Sequence, residues 1–196
     1  ARGIAESSNV AMALTEQKMG AETWQNYIKK FRFLKSTKSD LPNEETGMMQ
    51  FKYPIEQANT SYGQAISVTP LQMIQAYTAI AGNGEEIQPH LVEKVVDPNS
   101  KKVVYQAKRK VVSKPIKKST AEATRKQLED VIYSEYGLGK AYAIPDVRTT
   151  GKSGTAQIAT SNGYSTPGDN NHEIHSWMGM APSDDPRYLM YIVTKE

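Results

Sequence analysis

Two short runs carry the residues best equipped for chemistry. Gly151-Lys152-Ser153-Gly154-Thr155-Ala156-Gln157 puts a cation, two hydroxyls and a stretch of backbone without side-chain bulk on one segment. Ser7-Ser8-Asn9, near the other end of the chain, adds a hydroxyl and an amide that could face them. An acyl transfer at a peptide carbonyl needs a nucleophile, proton transfer to the leaving amine, and donors aimed at the oxyanion. The hydroxyls of Ser153 and Thr155 can bind a terminal carboxylate beside the compact charge of Lys152. Gly154 in a strand lets a ligand approach closely, and the backbone N–H just after it is a candidate oxyanion donor. Ser7 can relay a proton, a step that a neighbouring lysine eases. Asn9 offers a donor and an acceptor to a substrate amide.

Competing readings of these runs are weaker. Gly151-Lys152-Ser153 looks like the end of a phosphate-binding loop, but the position five residues earlier is Asp146 rather than glycine, and no helical pattern follows. His172-Glu173-Ile174-His175 has a metal-like look, yet it leads into a strand and brings no third ligand. Neither a metal nor a cofactor is expected. His90 reads as a surface residue, Trp24, Tyr27 and Phe31 as core, and the lysines at 108, 110, 114, 117 and 118 as a solvated face.

The elements that must position these residues alternate in period. Residues 8 to 19 read as a helix with Ala11, Met12, Leu14 and Met19 as a rough apolar stripe and Gly20 as its stop. Trp24, Tyr27, Ile28 and Phe31 mark a second helix over about 21 to 32. Leu34 to Asn59 reads as a long loop with at most short helical turns. Thr69-Pro70 starts a helix through Leu71, Ile74, Tyr77, Thr78 and Ala81, which Gly82-Asn83-Gly84 ends. Leu91 to Val96 and Lys102 to Gln106 flank Asp97-Pro98-Asn99-Ser100 as a hairpin. Ser119-Thr120-Ala121-Glu122 has the form of a capping box before Leu128, Val131 and Ile132. Three strands follow, over Thr150 to Thr160, His175 to Ala181 and Tyr188 to Thr194, with a turn-rich loop from Ser161 to Asn171. Helices followed by an antiparallel meander give an α+β fold.

Composition sets the outer limits. A chain of 196 residues can bury one core. A net charge of +3 is too small to point to nucleic acid, and the lysines do not alternate with aromatics. With no cysteine, disulfides and thiolate metal sites are excluded, which fits an extracytoplasmic bacterial protein. No apolar run is long enough to span a bilayer. Both ends read as cut from something larger.

The motifs resemble those of the class B penicillin-binding proteins, the division transpeptidases, whose family signatures are Ser-x-x-Lys, Ser-x-Asn and Lys-Ser/Thr-Gly. The likeness extends through Ser7 to Met12, Glu16 to Gly20, Ser61 to Pro70, Gln72 to Ile74, Ala76 to Ala81 and Lys152 to Gln157, and so covers essentially the whole chain. It implies a partial penicillin-binding/serine β-lactamase-like transpeptidase fold, a helical subdomain plus antiparallel strands, with residues 1–196 as the C-terminal portion of the domain. Ser7 would be the proton shuttle and Asn9 the partner of the substrate amide and of the lysine. Lys152 would hold Ser7 and the ligand carboxylate. Ser153, Gly154, Thr155 and Gln157 would bind substrate or β-lactam, with the Thr155 N–H completing the oxyanion hole. The substrate would be the D-Ala-D-Ala end of a peptidoglycan stem peptide.

No serine in the chain has a lysine three residues later. The resemblance therefore implies that the nucleophile helix and the membrane anchor precede Ala1, that this chain alone is inactive, and that its partners are the complementary N-terminal part and membrane proteins of the division machinery. It also implies that the three late strands are the third to fifth of a five-stranded sheet. Leu189, Tyr191 and Val193, or the opposite face of Met190 and Ile192, would then be poorly covered. A serine β-lactamase or β-lactam sensor is the alternative; nothing in the chain reads as the acidic loop that would activate a deacylating water.

Overall fold

The computed structural model describes residues 1–160, 163–164 and 173–195. The chain opens with helices α1 (Arg2–Ala5), α2 (Asn9–Met19) and α3 (Ala21–Lys30). Strand β1 (Met48–Met49), helix α4 (Pro54–Thr60) and strand β2 (Ile66–Ser67) lead to helix α5 (Pro70–Ala81). Short strands β3 (Glu86–Ile87), β4 (Lys94–Val96), β5 (Val103–Gln106) and β6 (Val111–Ser113) precede the long helix α6 (Lys118–Tyr133). The last third holds β7 (Thr150–Gln157), β8 (Ala159–Thr160), β9 (Gly163–Tyr164), β10 (Glu173–Ala181) and β11 (Tyr188–Lys195). The architecture is α+β, as expected. The turn-rich loop expected from Ser161 to Asn171, and His172, fall almost wholly outside the described residues.

The meander forms a three-stranded antiparallel sheet in the order β11-β10-β7, which leaves β7 at an edge among the described residues. Helices α5 and α6 lie against this sheet. Leu128, Val131 and Ile132 of α6 join Trp177 and Met180 of β10 in the core, with Ile4, Tyr77, Ile80 and Leu189 packed around them. The core thus sits directly behind the strand that carries Lys152.

Helix α5 begins as its sequence dictates. The Thr69 hydroxyl accepts from the Gln72 N–H at 3.2 Å, and the Gln72 side chain accepts from the Thr69 N–H at 3.0 Å. Its fully buried residues are Gln72, Gln75, Ala76 and Ala79, while Leu71, Ile74, Tyr77, Thr78 and Ala81 are partly covered. Gln72 is tolerated there because its amide donates to the carbonyls of Lys35 and Thr46 at 2.9 and 3.0 Å. At the far end, the buried Arg125 guanidinium donates to the carbonyls of Ile80 and Gly82 at 2.6 and 3.1 Å. It thereby pairs a cation with the negative end of the helix.

Four expectations are corrected. Ser119-Thr120-Ala121-Glu122 is not a capping box: α6 starts earlier, with Lys117 at the N-cap and no side-chain cap. Lys118 instead pairs with Glu122 one turn on, at 3.7 Å. In α2 the buried residue is Glu16, and Leu14 is 59% exposed, so the apolar stripe does not face a core. In α3 only Ile28 is buried; Trp24, Tyr27 and Phe31 are partly covered, and the Trp24 indole N–H donates to Thr60 Oγ1 at 2.8 Å. The segment read as a loop contains β1, paired with β2, and the two-turn helix α4.

The β4–β5 hairpin forms around Asp97, whose carboxylate accepts from the N–H groups of Asn99 and Ser100 at 3.0 and 2.6 Å. Both of its strands are exposed throughout. The lysines at 108, 110, 114, 117 and 118 are exposed too, and Lys114 pairs with Glu85 at 3.6 Å.

Candidate active site

Ser7 occupies the turn between α1 and α2 with a φ of 51°. A left-handed backbone costs a non-glycine residue on the order of 1 kcal/mol, so the surrounding structure must hold it there. Part of that hold is local. Ser8 is the N-cap of α2, its hydroxyl accepting from the Ala11 N–H at 3.3 Å. The Ser7 and Ser8 N–H groups donate back to the carbonyls of Ile4 and Gly3 at 3.1 and 2.9 Å. The turn is thus pinned on both sides, and the Ser7 hydroxyl is aimed at the sheet.

There it meets Lys152. The Lys152 ammonium donates to Ser7 Oγ and, at 2.6 Å, to the carbonyl of Ser153. Lys152 is half-buried, and the loss of water pushes its pKa below the ordinary lysine value. A lysine held in this way gives up a proton more readily than an exposed one, which suits it to assist a proton relay through the hydroxyl it touches. Asn9 is exposed at the first position of α2 and takes no part in the Lys152 hydrogen bonds.

Register determines what the rest of β7 can do. Lys152 is opposite Met178, and Gly154 is opposite Ser176. Ser153 is opposite Trp177, Thr155 opposite His175, and Gln157 opposite Glu173. Strand alternation therefore puts Lys152 and Gly154 on the face of Ser7, and Ser153, Thr155 and Gln157 on the other. A ligand that touches both sets has to lie along the edge of β7, which among the described residues is unpaired and can pair with an extended peptide. A side chain at position 154 would approach Ser176 Oγ to 2.8 Å, so the glycine keeps the lysine face low.

Gly151 has a different purpose. A Cβ there would run into the Trp177 ring and come within 2.6 Å of the Met178 carbonyl oxygen. The Trp177 indole lies over this position with Tyr142 stacked on it, the ring centroids 3.7 Å apart and the planes 9° from parallel. Tyr142, His175, Trp177 and Ile192 line an open pocket of about 430 Å³ on this outer face.

Two residues beside the site went unassigned in the sequence. His175 Nδ1 lies 3.4 Å from Thr155 Oγ1, and His175 Nε2 lies 3.6 Å from the Glu173 carboxylate. The signal was present in Glu173-Ile174-His175, because an i, i+2 pair in a strand shares a face; the metal-like pattern drew attention elsewhere.

The chain is similar along its length to known proteins. The penicillin binding protein transpeptidase domain family matches residues 1–196. Stage V sporulation protein D of Bacillus subtilis is 34% identical over 96% of the chain and 29% of its own length. The crystal structure of penicillin-binding protein 2X from Streptococcus thermophilus superimposes with a TM-score of 0.91 at 35% identity, over 100% of this chain and 29% of that one. Penicillin-binding protein 3 from Mycobacterium tuberculosis, complexed with aztreonam, gives 0.89 at 26% identity, over 100% and 44%. The chain thus spans less than half the length of each of these relatives.

Proposed function

The chain belongs to the penicillin-binding protein transpeptidase domain family, and from that premise we propose that it forms the C-terminal portion of a serine-type D,D-transpeptidase domain of peptidoglycan synthesis. The observation that carries the reading is the hydrogen bond from the Lys152 ammonium to Ser7 Oγ. It joins a hydroxyl able to relay a proton to a cation on the strand best suited to hold a peptide carboxylate.

In this reading a D-Ala-D-Ala stem peptide lies along the free edge of β7. Ser153 and Thr155 donate hydroxyl protons to its terminal carboxylate, Lys152 supplies the opposing charge, and the Thr155 N–H faces the oxyanion. Asn9 and Gln157 meet the peptide amides. The nucleophilic serine belongs to a complementary segment. It attacks the penultimate carbonyl, forms the acyl-enzyme and expels D-alanine, with Ser7 passing the proton to the leaving amine. An amine of a neighbouring strand then takes the acyl group. β-Lactams enter by the same route. The parent works at division, at the extracytoplasmic face of the membrane beside other membrane proteins of that machinery.

The test is acylation of the intact parent protein by penicillin. Replacing Lys152 by alanine is expected to lower the second-order rate constant by about 100-fold or more, since the charge serves the transition state. An unchanged constant in Lys152→Ala refutes the assignment. Fluorescent penicillin is expected to label the parent and leave chain 1–196 alone unlabelled.

A further inference from the structure

Thr155 and His175 face each other across the β7–β10 ladder, with Glu173 next on the same face of β10. We propose that His175 is a positioning residue that sets the direction of the Thr155 hydroxyl, so that its protonation tightens the grip of β7 on an anionic ligand carboxylate. The proposal rests on the transpeptidase reading above and assigns a control to the same site.

The argument is one of donors and acceptors. The Glu173 carboxylate, 3.6 Å from Nε2, can only accept. In neutral His175 the nearby negative charge favours the tautomer with the ring proton on Nε2, in which Nδ1 presents a lone pair to Thr155 Oγ1 at 3.4 Å. Thr155 has one hydroxyl proton. Given to Nδ1, it leaves only lone pairs for a ligand, the wrong polarity for a carboxylate. Protonation of His175 reverses the bond: Nδ1–H donates to Oγ1, and the hydroxyl proton is free to turn to the ligand. The imidazolium also balances Glu173, whose charge otherwise repels an anion bound next door.

Among the described residues, the other neighbours of His175 do not supply this control. On β7 the same face carries the neutral Thr155 and Gln157, and on β11 the residue opposite is Thr194. The Tyr142 phenol lines the adjoining pocket and stacks on Trp177. Lys152 lies on the opposite face of β7 with Ser7, and Lys195 is opposite Ile174 and so shares the face that His175 avoids.

The experiment compares acylation of the intact parent by benzylpenicillin and by its carboxyl methyl ester between pH 5 and 8. The ratio of the two rates cancels the titrating groups that act on acid and ester alike; Lys152 also faces the carboxylate, and the His175→Gln variant separates its contribution from that of His175. In the wild type this ratio is expected to be about tenfold higher at pH 5 than at pH 8. The rise is expected to vanish in His175→Gln and in Thr155→Val, and the double variant should match Thr155→Val alone. Glu173→Gln is expected to raise the ratio at pH 8. A rise that survives His175→Gln, or a double variant whose losses simply add, overturns the proposal. Lys152→Ala in the same series separates the two readings: if it acylates at the wild-type rate, the transpeptidase assignment itself fails, whatever His175 does.

Discussion

At Lys152 one ammonium is shared between Ser7 Oγ and the carbonyl of Ser153, in a setting that strips away part of its water. The residue types at this site were readable because Lys-Ser-Gly-Thr and Ser-x-Asn are chemically distinctive and each is contiguous in sequence. Their division between two faces of β7 was not, because strand twist and the position of a sheet edge are set by partners far along the chain. Asn9 shows the same limit: its type fits an amide-binding role, but its exposed position at the start of α2 puts it outside the Lys152 hydrogen bonds. The glycines differ in what they protect. At Gly154 the atom in the way is a flexible serine hydroxyl, while at Gly151 it is a packed indole and a backbone oxygen. Gly151→Ala is therefore expected to destabilise the fold by about 2 kcal/mol and Gly154→Ala by much less. Denaturant unfolding of the two variants checks the order.

Element ends were legible where the signal is local. Thr69, Pro70 and Gln72 announce the start of α5 because cap and box lie within four residues. Ser119 is no cap because it already lies inside α6, whose first residue is Lys118; the Ala121 N–H donates to the carbonyl of the N-cap Lys117 at 3.1 Å. Buried polar residues were opaque: Arg125, Gln72 and Gln75 look solvent-facing until the partners on other elements are known. Glu86 on β3 is the sharpest case. It is fully buried, neither carboxylate oxygen has a hydrogen-bond partner among the described residues, and burial pushes its pKa up to about 7 against an opposing pull from Arg32. Between about pH 4.5 and 7 the folded chain holds a proton that the unfolded chain has released. Stability therefore falls as pH rises through that window, by on the order of 3 kcal/mol. Glu86→Gln is expected to unfold at a higher temperature than wild type at pH 8 and at nearly the same temperature at pH 5. Parallel melting-temperature profiles for the two proteins would count against this.

Across the whole molecule the helical subdomain followed by a meander could be read from the change of period, and the order β11-β10-β7 follows from short antiparallel connections. Which face of β11 is covered was left open by its alternating pattern. The structure exposes Tyr188, Met190 and Ile192 by 76%, 55% and 48%, while Leu189 packs on the core. A row of apolar side chains beside an unpaired strand edge favours association. If, as proposed, the chain is the C-terminal portion of a transpeptidase domain, chain 1–196 on its own is expected to elute from size exclusion as oligomers or aggregates and to become a discrete species when co-expressed with the rest of that domain. A monodisperse, cooperatively unfolding monomer would contradict this.

The bond between Lys152 and Ser7 spans 145 positions of sequence. Closing so long a loop adds little to the equilibrium cost, since each doubling of length takes only about 0.6 kcal/mol, but it delays the contact in time. The helices and the β10–β11 hairpin have nearer partners and can form first. Ser7 and Lys152 then meet among the last, and a ligand that touches both acts as a clasp between the two ends of the chain. Its grip would be felt as resistance to proteolysis in segments it never contacts.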